Sequence, residues 1–315
     1  MKALRWSLAA ACLLGLPALA DAVDKVHEDS GSGSNPVNER RPLNANGAVY
    51  INELSGTVVV SGWDKNEVAV SGELNGGDDR LDISGDPAKL NLVVVSAYTR
   101  SATGLHVSGG ADLRVQVPAG AQVTVETVSG DASVNGTRGP VRISTVSGDV
   151  GLAVSAPRVT VQTVSGDVVM QGSSADTVTH TVSGELRLSG LQGSLQAETV
   201  SGNLELAGGK FSELRLKSTS GEVHLDVSFA DKAKVVAETL SGDINLLVPA
   251  DLSGTGTLKS FSGEAICDKN PLPASNVRRG QKREYVWGDG KGVEMQLSSF
   301  SGDIHVDRKP AVSAR

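Results

Sequence analysis

The 315-residue chain predicts an all-β fold: a single-stranded parallel β-solenoid (β-helix) with rungs of 18 to 21 residues and an irregular N-terminal β cap. Three observations carry this. The phrase TVSGD or a near copy recurs with its Ser at 129, 147, 165, 183, 201, 220, 241, 262 and 301. On both sides of each copy apolar residues alternate with polar ones, the period of two that belongs to strands. No helical period runs through the chain beyond its first residues.

The opening segment reads as an address. Lys2 and Arg5 precede an apolar run from Leu8 to Leu16, and Ala18-Leu19-Ala20 or Ala20-Asp21-Ala22 supplies a small-residue cleavage pattern, so residues 1–22 are expected to be a signal peptide and the product periplasmic or extracellular. Cleavage leaves Cys267 as the single thiol, without an intrachain disulfide partner. No later stretch approaches the roughly 20 apolar residues of a spanning helix. A net charge of -7 withholds the positive field that nucleic acid or an anionic membrane surface would require.

Residues 23–46 are polar, rich in Gly, Ser, Pro and Asn, and without period, as in a flexible arm. From 47 to 120 the alternation returns in VYINEL, TVVVSGW, EVAVSGEL, LNLVVVS and LRVQVP, but the 18-residue step is blurred, so this region is expected to cap the stack with early, irregular rungs. Residues 121–307 are the repeat proper. Its Ser-to-Ser intervals are 18, 18, 18, 18, 19, 21, 21 and 39, and the last suggests one looped-out turn between Ser262 and Ser301. A basic loop at 268–292, closing in a hairpin at Gly288 to Gly292, interrupts the final rungs, and 308–315 is a tail.

Within a unit, the slip in alternation at Ser-Gly marks a corner where Gly takes positive φ. A step of 18 residues returns the chain to a parallel neighbour, whereas a hairpin turn needs only a few. Thr127, Thr145, Thr163, Thr181, Thr199, Ser218, Thr239, Ser260 and Ser299 fall on the inward face, where a hydrogen-bonded internal ladder is expected. Past each corner stands a column of Asp131, Asp149, Asp167, Glu185, Asn203, Glu222, Asp243, Glu264 and Asp303. Stacked about 4.8 Å apart in water, neighbouring carboxylates repel by about 0.9 kcal/mol, so the column must be solvated. A calcium ladder is one reading. A solvated corner with local backbone hydrogen bonds is favoured, because Asn203 interrupts the charge and the glycine-rich calcium nonapeptide is absent.

Chemistry-bearing motifs are sparse. His27, His106, His180, His224 and His305 are scattered, with His224 and His305 in one outward slot several rungs apart. HExxH, GxSxG, Walker and paired-cysteine patterns are all missing, so no catalytic residue, metal ligand or cofactor is assigned. Cys267 takes the inward slot of Leu246 and Val306, as a buried structural thiol. The basic loop offers Arg278, Arg279, Lys282 and Arg283 with Tyr285 and Trp287, a place for an acidic glycan or a protein to dock.

The segments GTVVVSGWDKNEVAVSG (Gly56 to Gly72), LRVQVPAGAQVTVETVSGDASV (Leu113 to Val134) and SSFSGDIHV (Ser298 to Val306), with the serial TVSGD copies, resemble the bacterial "putative adhesin" family over Gly47 to Asp307. The resemblance implies an exported β-solenoid with no established catalytic residues. The expected function is therefore an adhesin-like or structural binding module of the cell envelope, not an enzyme. The alternatives are a polysaccharide-active β-helix lyase or glycosidase, whose carboxylate pairs line one face, and an envelope-stress component acting through a protein partner.

Overall fold

A computed structural model describes residues 35–309 apart from 77, 97, 102, 103, 108 and 268–282. The expected signal peptide, residues 23–34 of the arm, most of the basic loop and 310–315 lie outside the described residues. All regular structure among the described residues is β.

Successive copies of the phrase lie side by side in parallel, as the 18-residue step requires. Val141–Ser144 pairs with residues 123–126 on one edge and 159–162 on the other. Val150–Gln162 pairs with Val168–Ser183 from Val150↔Val168 to Gln162↔His180. The corner serines follow the same register: Ser129, Ser147, Ser165 and Ser183 bridge in series, and Ser201, Ser220 and Ser241 continue the row. Each rung thus has a strand before its corner and a strand after it, with inward side chains meeting between them. Val141, Ile143, Val150, Leu152, Val159, Val161, Val168 and Met170 are all buried in one continuous core. No rung can satisfy its own backbone groups. Each depends on its neighbours, and the fold is solenoid-like in that sense.

At both ends the order of rungs departs from chain order. Ala48–Trp63 is a complete rung with its own corner at Ser55-Gly56, in register with Gln122–Asn135 from Ala48↔Gln122 to Ser61↔Asn135. Its other edge is occupied by Lys89–Val95 and Ala111–Pro118, which come later in the chain. At the far end, Val223–Ser241 pairs with Val293–Ser301, and Gly254–Ser260 lies outside Val293–Ser301. The rung after the 39-residue interval therefore does not follow the Ser262 rung on the outside, as chain order would have it; residues 268–282 of the interval lie outside the described residues. The Ser301 rung is inserted between the Ser241 and Ser262 rungs.

The hairpin expected at Gly288 to Gly292 is also corrected. Arg283–Trp287 pairs antiparallel with Gly254–Ser260, so that strand separates it from Val293–Ser301 and the turn crosses over. Ser253 fastens the crossing by accepting from the Asp289 N–H at 3.2 Å, while its carbonyl accepts from the Val293 N–H at 3.0 Å. The physical reason is edge satisfaction: a simple hairpin would leave the outer edge of Gly254–Ser260 bare.

Part of the expected flexible arm is ordered as well. Asn35–Pro42 runs antiparallel to Glu67–Leu74, which itself pairs antiparallel with Ala111–Pro118. Pro36 and Pro42 sit on this outermost strand, the position in a sheet where a missing N–H is tolerated.

Candidate binding surface

The corner is built from the glycine outward. From Gly148 to Gly242 the Ser-Gly glycines hold φ between 135° and 149°, which side chains strain to adopt. A second constraint is tighter. A Cβ on Gly166 would stand 2.1 Å from the Gly148 carbonyl oxygen, and on Gly184 2.1 Å from that of Gly166. The rungs touch here backbone to backbone, and the Gly166 and Gly184 N–H groups donate to the Ser183 and Ser201 carbonyls at 3.2 Å.

The acidic column sits just beyond. Its short members reach across to the next rung: Asp131 Oδ1 accepts from the Asp149 N–H at 2.8 Å, Asp149 from Asp167 at 2.9 Å, Asp167 from Glu185 at 2.8 Å, and Asp243 from Asp303 at 2.7 Å. Asn203 does the same for Glu222 at 3.0 Å. The bonds are inter-rung rather than local to one turn, so the acids staple the stack. Among the described residues no three His, Cys, Asp or Glu side chains converge as metal ligands.

The Thr/Ser column is buried as alternation requires, but it is not a side-chain ladder. Thr163 and Thr181 donate to the Ser165 and Ser183 carbonyls at 3.3 Å, and Ser260 and Ser299 to glycine carbonyls. The hydroxyls of Thr127, Thr145, Thr199, Ser218 and Thr239 have no hydrogen-bond partner. The hydroxyls are spaced by the rungs, so they turn to the corner backbone where they reach it.

In the Ser55 rung the slot is filled by Glu53, in register with Thr127 and 2% exposed. Oε1 accepts from the Ala111 N–H at 2.8 Å, and Oε2 is buried without a partner. Burial above all pushes this carboxyl up to about 8; the Ala111 N–H pulls the other way and the Asp112 charge adds to the rise. Sequence reasoning passed over Glu53. The signal was its place in NELSG, a copy of the phrase with an acid where Thr belongs.

Also missed was the residue between Thr and Ser. Of the ten large apolar side chains left exposed among the described residues, eight stand in this one column: Val128, Val146, Val164, Val182, Val200, Leu240, Phe300 and Phe261. Through the reordered final rungs Phe300 and Phe261 become neighbours, stacked at 4.8 Å with 7° between their planes. The result is an apolar ridge along the corner edge.

On the sheet face after the corner, the same reordering corrects the placing of His224 and His305. They flank Asn245 on successive strands, with Glu205 next to His224. Together with Asp226, Leu247 and Asp307 they line an open concavity of about 230 Å³. His224 Nε2 lies 2.8 Å from Glu222 Oε2, and Lys309 pairs with Asp226.

Of the expected docking loop, Arg278, Arg279 and Lys282 lie outside the described residues, and Arg283 opens the strand Arg283–Trp287. Trp287 is 4% exposed and covers Gly256, where a Cβ would meet its ring at 2.3 Å. Tyr285 stacks on Trp287 at 6.1 Å and donates to the Ala265 carbonyl at 3.4 Å. Cys267 is buried in register with Val306.

The Toastrack DUF4097 family model matches residues 51–265 and 205–307. The chain belongs to that family. No curated protein matches the sequence significantly. Among solved structures the chain is similar to a "putative adhesin" from Bacteroides fragilis, at 10% identity and a TM-score of 0.45, covering 87% of this chain and 98% of that one. It is also similar to a "putative cell adhesion protein" from Clostridium sporogenes, at 11% identity and 0.20, covering 87% and 100%. A "putative lipid binding protein" from Parabacteroides distasonis stands at 12% and 0.31, covering 86% and 96%.

Proposed function

We propose that the protein is an exported, adhesin-like or structural binding module of the cell envelope that acts without catalysis. In this reading the stack is one parallel β-solenoid with rungs of 18 to 21 residues, and export rests on the leader pattern at 1–22. The observation that carries the binding role is the row Glu205, His224, Asn245 and His305 on four successive strands, above an open concavity. Carboxylate, imidazole and amide at rung spacing offer both acceptors and donors, while Ala207 and Leu247 supply apolar floor. That combination suits a hydroxyl-rich glycan with one C–H face. Arg278, Arg279, Lys282 and Arg283, which precede Tyr285 and the buried Trp287 in the sequence, extend the proposal to acidic glycans.

A glycan array with the protein and its Asn245→Ala variant, run beside a reducing-sugar release assay, tests it. Retention lost in the variant with no new reducing ends supports a binding module. Release of reducing ends would instead make it a polysaccharide-active enzyme. Retention of no glycan would point to a protein partner, sought by pull-down from envelope extract.

A further inference from the structure

We propose that the ridge at the corner edge docks a cationic amphipathic α-helix of a partner protein. Scattered exposed apolar side chains need no explanation, but a contiguous row marks an interaction site. Here the side chains from Val128 to Val200 occupy five successive rungs, each 40–46% exposed. Their spacing selects the occupant. Rungs repeat at about 4.8 Å, close to the 5.4 Å turn of an α-helix, whereas alternate side chains of an extended strand lie about 6.7 Å apart. Over four intervals a helix drifts from the ridge by only about 2 Å, within side-chain reach, and 18 helical residues, about 27 Å long, more than cover the roughly 19 Å between the first and fifth valines.

Charge selects the rest. One flank of the ridge is the acidic column, where Arg187 is the cation paired with Asp167 and Glu185. The other flank, two residues before each member of this column, includes Glu126, Glu198 and Glu238 against Lys259 and Lys217, the last before Thr219, which interrupts the apolar row between Val200 and Leu240. A second copy of the chain laid ridge to ridge would set acid against acid or against this mixed flank. An anionic lipid surface would be repelled as well. A helix with Lys or Arg bordering an apolar face meets neither obstacle. This surface uses residues other than the glycan-binding row, and it stands or falls separately.

The test measures binding of an 18-residue Leu/Lys amphipathic peptide to the purified protein by calorimetry, and peptide helicity by circular dichroism. A scrambled peptide of identical composition, phosphatidylglycerol vesicles and phosphatidylcholine vesicles serve as competitors. Val146, Val164 and Val182 are changed together to Thr, which keeps β-branching, and Val169→Thr on the sheet face is the control. Expected are induced helicity, at least tenfold weaker binding of the scrambled peptide, at least tenfold loss in the triple variant and no loss in the control. Equal binding by the triple variant would reduce the effect to charge and overturn the proposal. So would ridge-dependent binding to vesicles, or a ridge-dependent dimer in sedimentation.

Discussion

Replacing Gly184 with Ala tests the claim that the stack is held at its corners by backbone contact. Gly184 lies mid-stack with φ 137°, and the added Cβ would stand 2.1 Å from the Gly166 carbonyl oxygen. A residue forced into that conformation costs about 1–3 kcal/mol, and overpacking against a neighbour that cannot retreat costs about 1–3 kcal/mol more. The neighbour here is backbone, tied on its far side by the Gly148 contact. The variant should therefore lose about 2–6 kcal/mol, read by denaturant titration followed by circular dichroism. Two controls separate the causes. Gly208 has φ 70° with nothing within 4 Å of a Cβ, so Gly208→Ala carries conformational cost alone. Gly151 has an ordinary strand φ, and its Cβ would meet only the Ser133 side chain, at 3.6 Å, so Gly151→Ala should be neutral or better. If Gly184→Ala proves no worse than Gly208→Ala, close rung contact is not what selects glycine.

Other outcomes follow from the same geometry. The folded chain keeps a proton on Glu53 up to about pH 8, which the unfolded chain releases near 4.5; this stability is complete below pH 4.5 and lost as pH rises toward 8. Relative to wild type, Glu53→Thr should thus gain a few kcal/mol in moving from pH 5 to pH 8, measured as thermal midpoints at both. Asp149→Asn should be neutral, since Asn203 already makes the same inter-rung bond, whereas Asp149→Ala should cost about 1 kcal/mol in denaturant titration. Millimolar calcium should leave the melting midpoint unmoved; a clear rise would restore the calcium ladder. Trp287→Ala should cost about 3 kcal/mol by uncovering Gly256 and the C-terminal end of the core, seen in the same titration.

The ridge was legible in principle. Thr127 points inward, so its neighbour Val128 must point out, and the same holds in every copy. The Glu53 slot was legible in the same way. By contrast, nothing in the spacing revealed that His305 would lie one strand from Asn245, or that Phe261 and Phe300 would stack. Both depend on the Ser301 rung entering between the Ser241 and Ser262 rungs. Nor did the polar composition of residues 35–42 betray a strand, because a largely exposed edge strand that packs only Val37 against the core needs no apolar alternation.

From its residues alone the chain settled what a single rung is: where it bends, which side chains turn inward, and that it must lie parallel to its kin, since alternation and a glycine corner are local properties of a few neighbouring residues. Which rung lies against which was left to the folded molecule. Near-identical copies present near-identical edges, so adjacency at the ends is decided by which closing arrangement leaves the fewest backbone groups unpaired, and that depends on the whole stack.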